Sequence, residues 1–386
     1  ISCSLVGSEM CIRDRYIGCE DQKNTVKSSS QLLMFSTVFS IIIAVITLIF
    51  NRPLLTLLFG KVENSVMEAC VTYLRISAYS YPALAIYNAG AALYRSIGKT
   101  STTMYISLIS NVINVIGNLI GVFVLDAGVA GVAYPSLIAR TFSAVAITVL
   151  RFSKSRFAHY SNDWILKWDG PMLKRILNIA IPNGIENGIF QLVKVALSSV
   201  VALFGTYQIA ANGIAQSIWS LAALIGSAMG PVFITVIGQC MGANQVKEAE
   251  YYFYKMMKLT LVLSIIWNVL VFIITPIFMQ FYQVSEETRQ LVIILVFIHN
   301  VFNTVAFPFS GPLSNGLRAA GDVKYTMVVS IASTVLGRLI FSLIFAIGLN
   351  LGVIGIALAM CLDWSMRGII FYIRFRSKKW TKFKVI

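Results

Sequence analysis

Ten long, mostly apolar stretches dominate this chain: 31–50, 67–93, 102–124, 129–151, 176–203, 208–236, 254–279, 289–314, 325–348 and 352–375. A helix needs about 20 such residues to cross the hydrocarbon core of a bilayer. In lipid every backbone N–H and C=O must be satisfied within a helix or a closed barrel. A membrane barrel would show alternating segments of about 10 residues, and these runs do not alternate. The chain therefore reads as an all-α membrane protein. Composition agrees: of 386 residues, 57% are hydrophobic and 12% charged, against about 25% charged in a soluble domain. So much apolar surface excludes disorder, a coiled coil and a small disulfide scaffold. The six cysteines are scattered, with no CxxC pair, and His159 and His299 are far apart. Neither a disulfide framework nor a metal site is expected.

The formal net charge is +15. On a soluble protein that would suggest nucleic acid; here the positions of the charges decide otherwise. One set of alternate loops holds Lys23 and Lys27, Arg95 and Lys99, the 151–175 segment, Lys247, Lys255 and Lys258, and Arg318 and Lys324. The C-terminal tail adds Arg374, Arg376, Lys378, Lys379, Lys382 and Lys384, while the opposite loops hold little beyond Arg52, Lys61 and Arg289. Cytoplasmic loops carry the Lys/Arg excess, so the first set and the tail are expected in the cytoplasm. Attraction to anionic headgroups is secondary. No nucleic-acid partner is expected; the bilayer is.

The chain also repeats itself. At an offset of 223, Pro53, Glu63, Arg95, Gly98, Thr103, Met104, Ser107 and Ser110 meet Pro276, Glu286, Arg318, Gly321, Thr326, Met327, Ser330 and Ser333. At 224, GVAGVA from Gly128 meets GVIGIA from Gly352, and Gly18 meets Gly242. Matched glycines mark tight turns or close helix packing. Spans 176–203 and 208–236 have no counterpart upstream, so the expectation is two six-helix bundles related by a parallel pseudo-twofold repeat, with ten of twelve transmembrane helices present. An even number of helices per copy places that axis along the membrane normal. The expected organisation is a lobe over 16–152 lacking its first two helices, a polar cytoplasmic linker over 153–171, and a six-helix lobe with a basic tail over 172–386. Residues 1–15, ISCSLVGSEMCIRDR, resemble a translated sequencing adapter and are set aside as non-native. The apolar run there is too short for a signal peptide.

Charges inside spans are costly unless they face a cavity or a partner. Glu186 lies about ten residues into its span, at roughly 15 Å depth, near the midplane. Pro182 sits one turn earlier, where a local break can free carbonyls. Asn183, Glu186, Asn187 and Gln191 form one polar stripe, continued by Lys194. The stripe fits a site for a coupling cation or proton facing a water-filled cavity; the alternative is a structural pair between Glu186 and Lys194. Asp363 and Arg367, four apart, suit an intrahelical pair that Arg338 on the preceding helix could join. They read either as packing or as a proton relay or gate. Asn111 and Asn114 form a second stripe with Asn118, and Asn303 lies on a third polar face with Asn300; both suit cavity lining or interhelical hydrogen bonds. Pro308, Gly311 and Pro312 predict a kink late in 289–314. His299 reads as a packing residue.

Several segments resemble the multidrug and toxic compound extrusion (MATE) transporters, bacterial branch: RYIGCEDQ from Arg15, TYLRI at 72–76, ALYRSIGKT at 92–100, IAIPNGIENGIFQL at 179–192, QCMGANQVKEAE at 239–250, GLRAAGDVKYTM at 316–327 and LDWSMRG at 362–368. The resemblance covers about 16–380. It implies two six-helix lobes, alternating access, and export of organic, often cationic, compounds in exchange for Na⁺ or H⁺, with no other cofactor, from the bacterial cytoplasmic membrane. It also implies that Glu186 is a cation-site residue. The usual acidic partner on 289–314 is absent, because that span has no Asp or Glu. A lipid-linked oligosaccharide flippase of the same superfamily is the second reading; it needs a cationic cavity, for which Lys194 and Arg140 are candidates. No HExxH, GxGxxG or phosphate-binding loop appears, so an enzyme is not expected. With both lobes in one chain, a monomer is.

Overall fold

The apolar runs fold as helices whose usual amphipathic pattern is turned inside out. The computed structural model describes residues 12–59, 63–150 and 167–383. Its helices are α1 (Gln22–Ile49), α2 (Asn51–Phe59), α3 (Asn64–Tyr79), α4 (Tyr81–Ser96), α5 (Thr100–Val124), α6 (Gly128–Leu150), α7 (Gly170–Phe204), α8 (Thr206–Ala222), α9 (Leu224–Gly242), α10 (Val246–Gln280), α11 (Glu286–Val305), α12 (Phe307–Ser310), α13 (Pro312–Ala319), α14 (Val323–Gly348) and α15 (Gly352–Arg376). No strand occurs among the described residues. In α10 the buried positions include Thr260, Ser264, Asn268 and Thr275. Leu259, Ile266, Val269 and Ile273 on the other face are 50–62% exposed. Polar-in, apolar-out is the pattern of a helix whose outer solvent is hydrocarbon.

Nine of the described helices are long and apolar enough to span a bilayer. The expected span 67–93 is instead divided at Ser80 into α3 and α4, of 16 residues each. Pro82 is the reason: it has no N–H for the carbonyl of Ala78, and its ring crowds that carbonyl. Ser80 turns its own N–H to Ser77 O at 3.0 Å, and Arg140 Nη1 of α6 donates to Ser80 Oγ at 2.7 Å. The expected span 289–314 is likewise broken, at Ala306 and Gly311, with Pro308 and Pro312 in the first turns of α12 and α13. The kink that Pro308, Gly311 and Pro312 predict is therefore present. Span 208–236 also breaks, at Ala223, and there no proline lies within a turn.

The chain divides into two compact units, with the boundary between Ala180 and Ile181 inside α7. Of the linker expected over 153–171, only 167–171 lie within the described residues. In the first unit α1 packs on α4, and α6 packs on α3, α4 and α5. Gln31 of α1 donates to Lys167 O at 2.6 Å and accepts from Asp169 N at 3.0 Å. Asp169 accepts from Met172 N at 2.8 Å, capping α7, and pairs with Lys27. The Lys27 ammonium, with that N–H, holds the Asp169 carboxyl below its ordinary 3.8. Of the segment 1–15, residues 12–15 are described: they are helical, and Arg13 donates to Ala92 O at 2.7 Å. In the second unit α8 packs on α11, α9 on α13 and α10, and α15 on α11, α12 and α14.

The internal repeat is written into the backbone. Glu20, Gly98, Asp126 and Gly128 adopt positive φ in the first unit, and Asn244, Gly321, Asn350 and Gly352 in the second. Each pair stands at the 223 or 224 offset. The π-helical turns of Ile120–Val124 recur at Ile344–Gly348, again 224 apart. Gly131 and Gly355, matched at that offset, serve the same close crossing. A Cβ on Gly131 would strike the Gly121 carbonyl, and one on Gly355 would lie 2.6 Å from Ala346 N.

Candidate functional site

Two clusters of charge lie within spans of the second unit. The first is built on α7, where Pro182 removes one rung of the hydrogen-bond ladder. One turn on, Glu186 projects toward the last turn of α13. Arg318 Nη2 donates to both carboxylate oxygens, at 2.6 and 2.8 Å. The side chains are 13% and 14% exposed. One guanidinium nitrogen shared between both oxygens makes a short, charge-assisted contact, stronger than a neutral hydrogen bond. Arg318 is also held by Thr326, which accepts from Nε at 3.4 Å. Glu186 is therefore not paired with Lys194. It meets the arginine that the repeat matches to Arg95, three residues before the turn at Gly321. Asn183 is buried and its carbonyl accepts from Asn187 Nδ2 at 2.9 Å; Gln191 and Lys194 lie exposed further along α7.

The second cluster centres on Asp363, which is fully buried. Arg367 Nη2 donates to its Oδ2 at 2.9 Å, and Arg338 Nε approaches the same oxygen at 3.4 Å. Ser333 donates to Oδ1 at 2.6 Å. Ser333 and Arg338 lie in the π-helical turns Ser333–Ile340, and Gly337 lets α14 approach, since a Cβ there would sit 3.3 Å from Asp363 Cα. The Arg338 guanidinium stacks 4.9 Å from the Phe190 ring. One carboxylate thus faces two arginines.

A third polar group is a hydrogen-bonded brace. Asn303 Nδ2 donates to Asn268 Oδ1 at 2.9 Å and to Ala222 O at 3.0 Å; Trp267 Nε1 donates to Leu221 O at 2.8 Å. Leu221 and Ala222 immediately precede the break at Ala223, where carbonyls lose their intrahelical partners. The side chains of α10 and α11 supply the missing donors. Asn114 does comparable work in the first unit, donating to Ser136 Oγ of α6 at 3.0 Å. Asn111 is exposed. His299 is 1% exposed beside Trp364, and neither ring nitrogen has a hydrogen-bond partner.

Sequence spacing brings Asp363 and Arg367 together and places Arg338 on the adjoining helix. It does not show Arg318 on Glu186, Ser333 on Asp363, or Trp267 and Asn268 at the break. Asn268 carried the one available signal, a lone amide in the middle of an apolar run.

The sequence profile of the family described as MatE matches residues 14–120 and 182–344. The chain belongs to the MATE family. MATE proteins are membrane transporters, not enzymes, and the family includes multidrug efflux proteins. Among curated relatives, this MATE chain is 24% identical over 379 residues to the uncharacterized transporter YisQ of Bacillus subtilis, covering 96% of this chain and 81% of that one. It is 24% identical over 349 residues to the multidrug export protein MepA of Staphylococcus haemolyticus, covering 89% and 74%. A solved MATE transporter of the MOP superfamily, in its outward-facing conformation, superposes with a TM-score of 0.86 at 19% identity, over 98% of this chain and 84% of that one. The MATE chain is accordingly an all-α, multi-pass protein of a transporter family with bacterial members.

Proposed function

We propose that this protein is a secondary antiporter, exporting organic, often cationic, drug-like compounds in exchange for Na⁺ or H⁺ by alternating access. The observation that carries this reading is the Glu186–Arg318 pair. It is a largely buried carboxylate on a helix with a proline one turn earlier, held by one removable cation rather than enclosed by several. A proton or Na⁺ arriving at Glu186 displaces Arg318, and the freed arginine biases the α13 end toward a second arrangement. With no acid on α11 beyond Glu286 and Glu287 in its first turn, the sodium ion would have fewer anionic ligands than a hard cation prefers, so the proton is the better-matched ion. Asp363, bonded to Arg367 and Ser333 with Arg338 beside it, is the more enclosed of the two carboxylates and serves here to set the α14–α15 packing. The Lys/Arg-rich loops and tail favour a cytoplasmic C-terminus in a bacterial inner membrane, and one chain suffices as the transporting unit.

The test is ethidium efflux from proteoliposomes under an imposed pH gradient or Na⁺ gradient. Wild type is expected to export under the pH gradient, and Glu186→Gln to lose gradient dependence while still melting cooperatively. Unchanged gradient-driven efflux in Glu186→Gln removes this carboxylate from coupling. No efflux by wild type under either gradient overturns the antiporter reading.

A further inference from the structure

Within the second unit, α7, α8, α14 and α15 enclose a cavity of about 370 Å³. That volume lies in the range of small-molecule sites, about 300–1,000 Å³. Its lining is mixed: Phe190, Leu197, Ile356 and Met360 supply apolar surface, and Lys194, Asn212, Gln216, Trp219, Ser220 and Arg338 supply polar groups. No Asp or Glu lines it.

Two of these polar groups are unsatisfied. Arg338 is 4% exposed, and its Nε and Nη2 have no hydrogen-bond partner, the approach to Asp363 being too poorly aligned to count. Trp219 Nε1 is buried and also without a partner. Buried donors are nearly always paired in native proteins, and an orphan needs an explanation. The charge is unbalanced as well. Asp363 faces both Arg338 and Arg367. Glu186, the nearest other acid on α7, is held by Arg318. Lys194 is in no ion pair among the described residues. An uncompensated cation inside a span costs several kcal/mol, and such residues mark ligand pathways or pair with a counter-ion.

We propose that this cavity is a binding site for amphipathic organic anions, with an apolar or aromatic body and a single carboxylate or sulfonate. The body lies against Phe190, Leu197, Ile356 and Met360. The anionic group accepts from Arg338 Nη2 and Lys194 Nζ, with the Trp219 indole N–H as a third donor. An organic cation meets two like charges here and is excluded, so this site is distinct in charge preference from the Glu186–Arg318 pair. The site goes beyond the exchange reaction proposed above and does not rest on it, because binding is read at equilibrium with no gradient.

The experiment titrates the protein in phosphatidylcholine nanodiscs with three probes sharing one fluorophore: dansylglycine (anion), dansylamide (neutral) and dansylcadaverine (cation). Empty nanodiscs provide the background. Wild type is expected to bind dansylglycine most tightly and dansylcadaverine least. Lys194 is exposed and in no described ion pair, so its variants are expected to fold, and melting curves verify this. Lys194→Met is expected to weaken dansylglycine about tenfold, the loss of one charged hydrogen bond, and to leave dansylamide unchanged. Lys194→Arg is expected to restore binding, and Lys194→Glu to invert the preference between anion and cation. Equal affinity of wild type for dansylglycine and dansylamide overturns the proposal, as does equal dansylglycine affinity in wild type and Lys194→Glu. Failure of ethidium efflux by the same purified protein in proteoliposomes sinks the antiporter reading alone.

Discussion

Asp363 shows what a single buried carboxylate does when it faces two arginines. Its removal leaves Arg338 and Arg367 buried with no counter-charge, and breaking a buried pair from one side costs about 3–5 kcal/mol. Asp363→Asn is therefore expected to melt well below wild type in detergent. The double variant Asp363→Asn with Arg338→Met removes one of the stranded charges and is expected to recover part of that loss. A single variant that melts like wild type would show that the cluster contributes nothing to packing. The contacts of Asp363 with Arg367 and Arg338 were accessible from sequence because one is fixed by helical spacing and the other sits on the adjoining helix. The partner of Glu186 was not, because Arg318 is 132 residues away and spacing within an element says nothing about distant side chains. The unsatisfied atoms of Arg338 belong to the same class: sequence gives a charge, but only the surroundings tell whether it is paired.

Among the helices, proline forecasts most of the breaks. Pro82, Pro308 and Pro312 each lie beside an observed interruption, for the steric and hydrogen-bonding reason that makes proline a poor interior residue. The interruption at Ala223 has no such marker; Pro231 lies two turns on, inside α9. That bend is held from outside, by Trp267 on Leu221 O and Asn303 on Ala222 O. Asn303→Leu is expected to leave the Ala222 carbonyl and Asn268 Oδ1 without the donor that Asn303 supplies, at about 1–3 kcal/mol for each unpaired group. The measurement is thermal melting together with hydrogen exchange at 221–226. Protection there that matches wild type would mean the bend does not depend on the brace. Seven of the ten expected spans are single helices legible from apolar run length alone, because a bilayer imposes that length on any helix crossing it; 67–93, 208–236 and 289–314 are each broken. The π-helical turns were not legible, since no residue type demands them.

For the molecule as a whole, the six expected spans between the turns at Gly98 and Gly321, with the basic residues beside both, predict that the two turns face the cytoplasm. Lys99→Cys and Lys324→Cys, in a background with the native cysteines replaced by serine, are expected to react with an impermeant maleimide only when the cytoplasmic face is open to it. Leu125→Cys and Leu351→Cys, on the opposite turns and both exposed, are expected to react in intact cells. Labelling of Lys99→Cys from outside would overturn the orientation drawn from the basic loops. That two bundles share this chain was legible from matched glycines, because each marks a turn or a close crossing that recurs at one offset.

The paired left-handed residues bear on how such a chain can be altered. Glu20 and Asn244, like Asp126 and Asn350, hold the same bend at the same interval with different side chains. What the two halves share at these points is the backbone geometry and not the residue that adopts it. Recombination between the two halves, or between this chain and a distant relative, should keep each such residue with its flanking helices and join segments only in the long straight stretches between them.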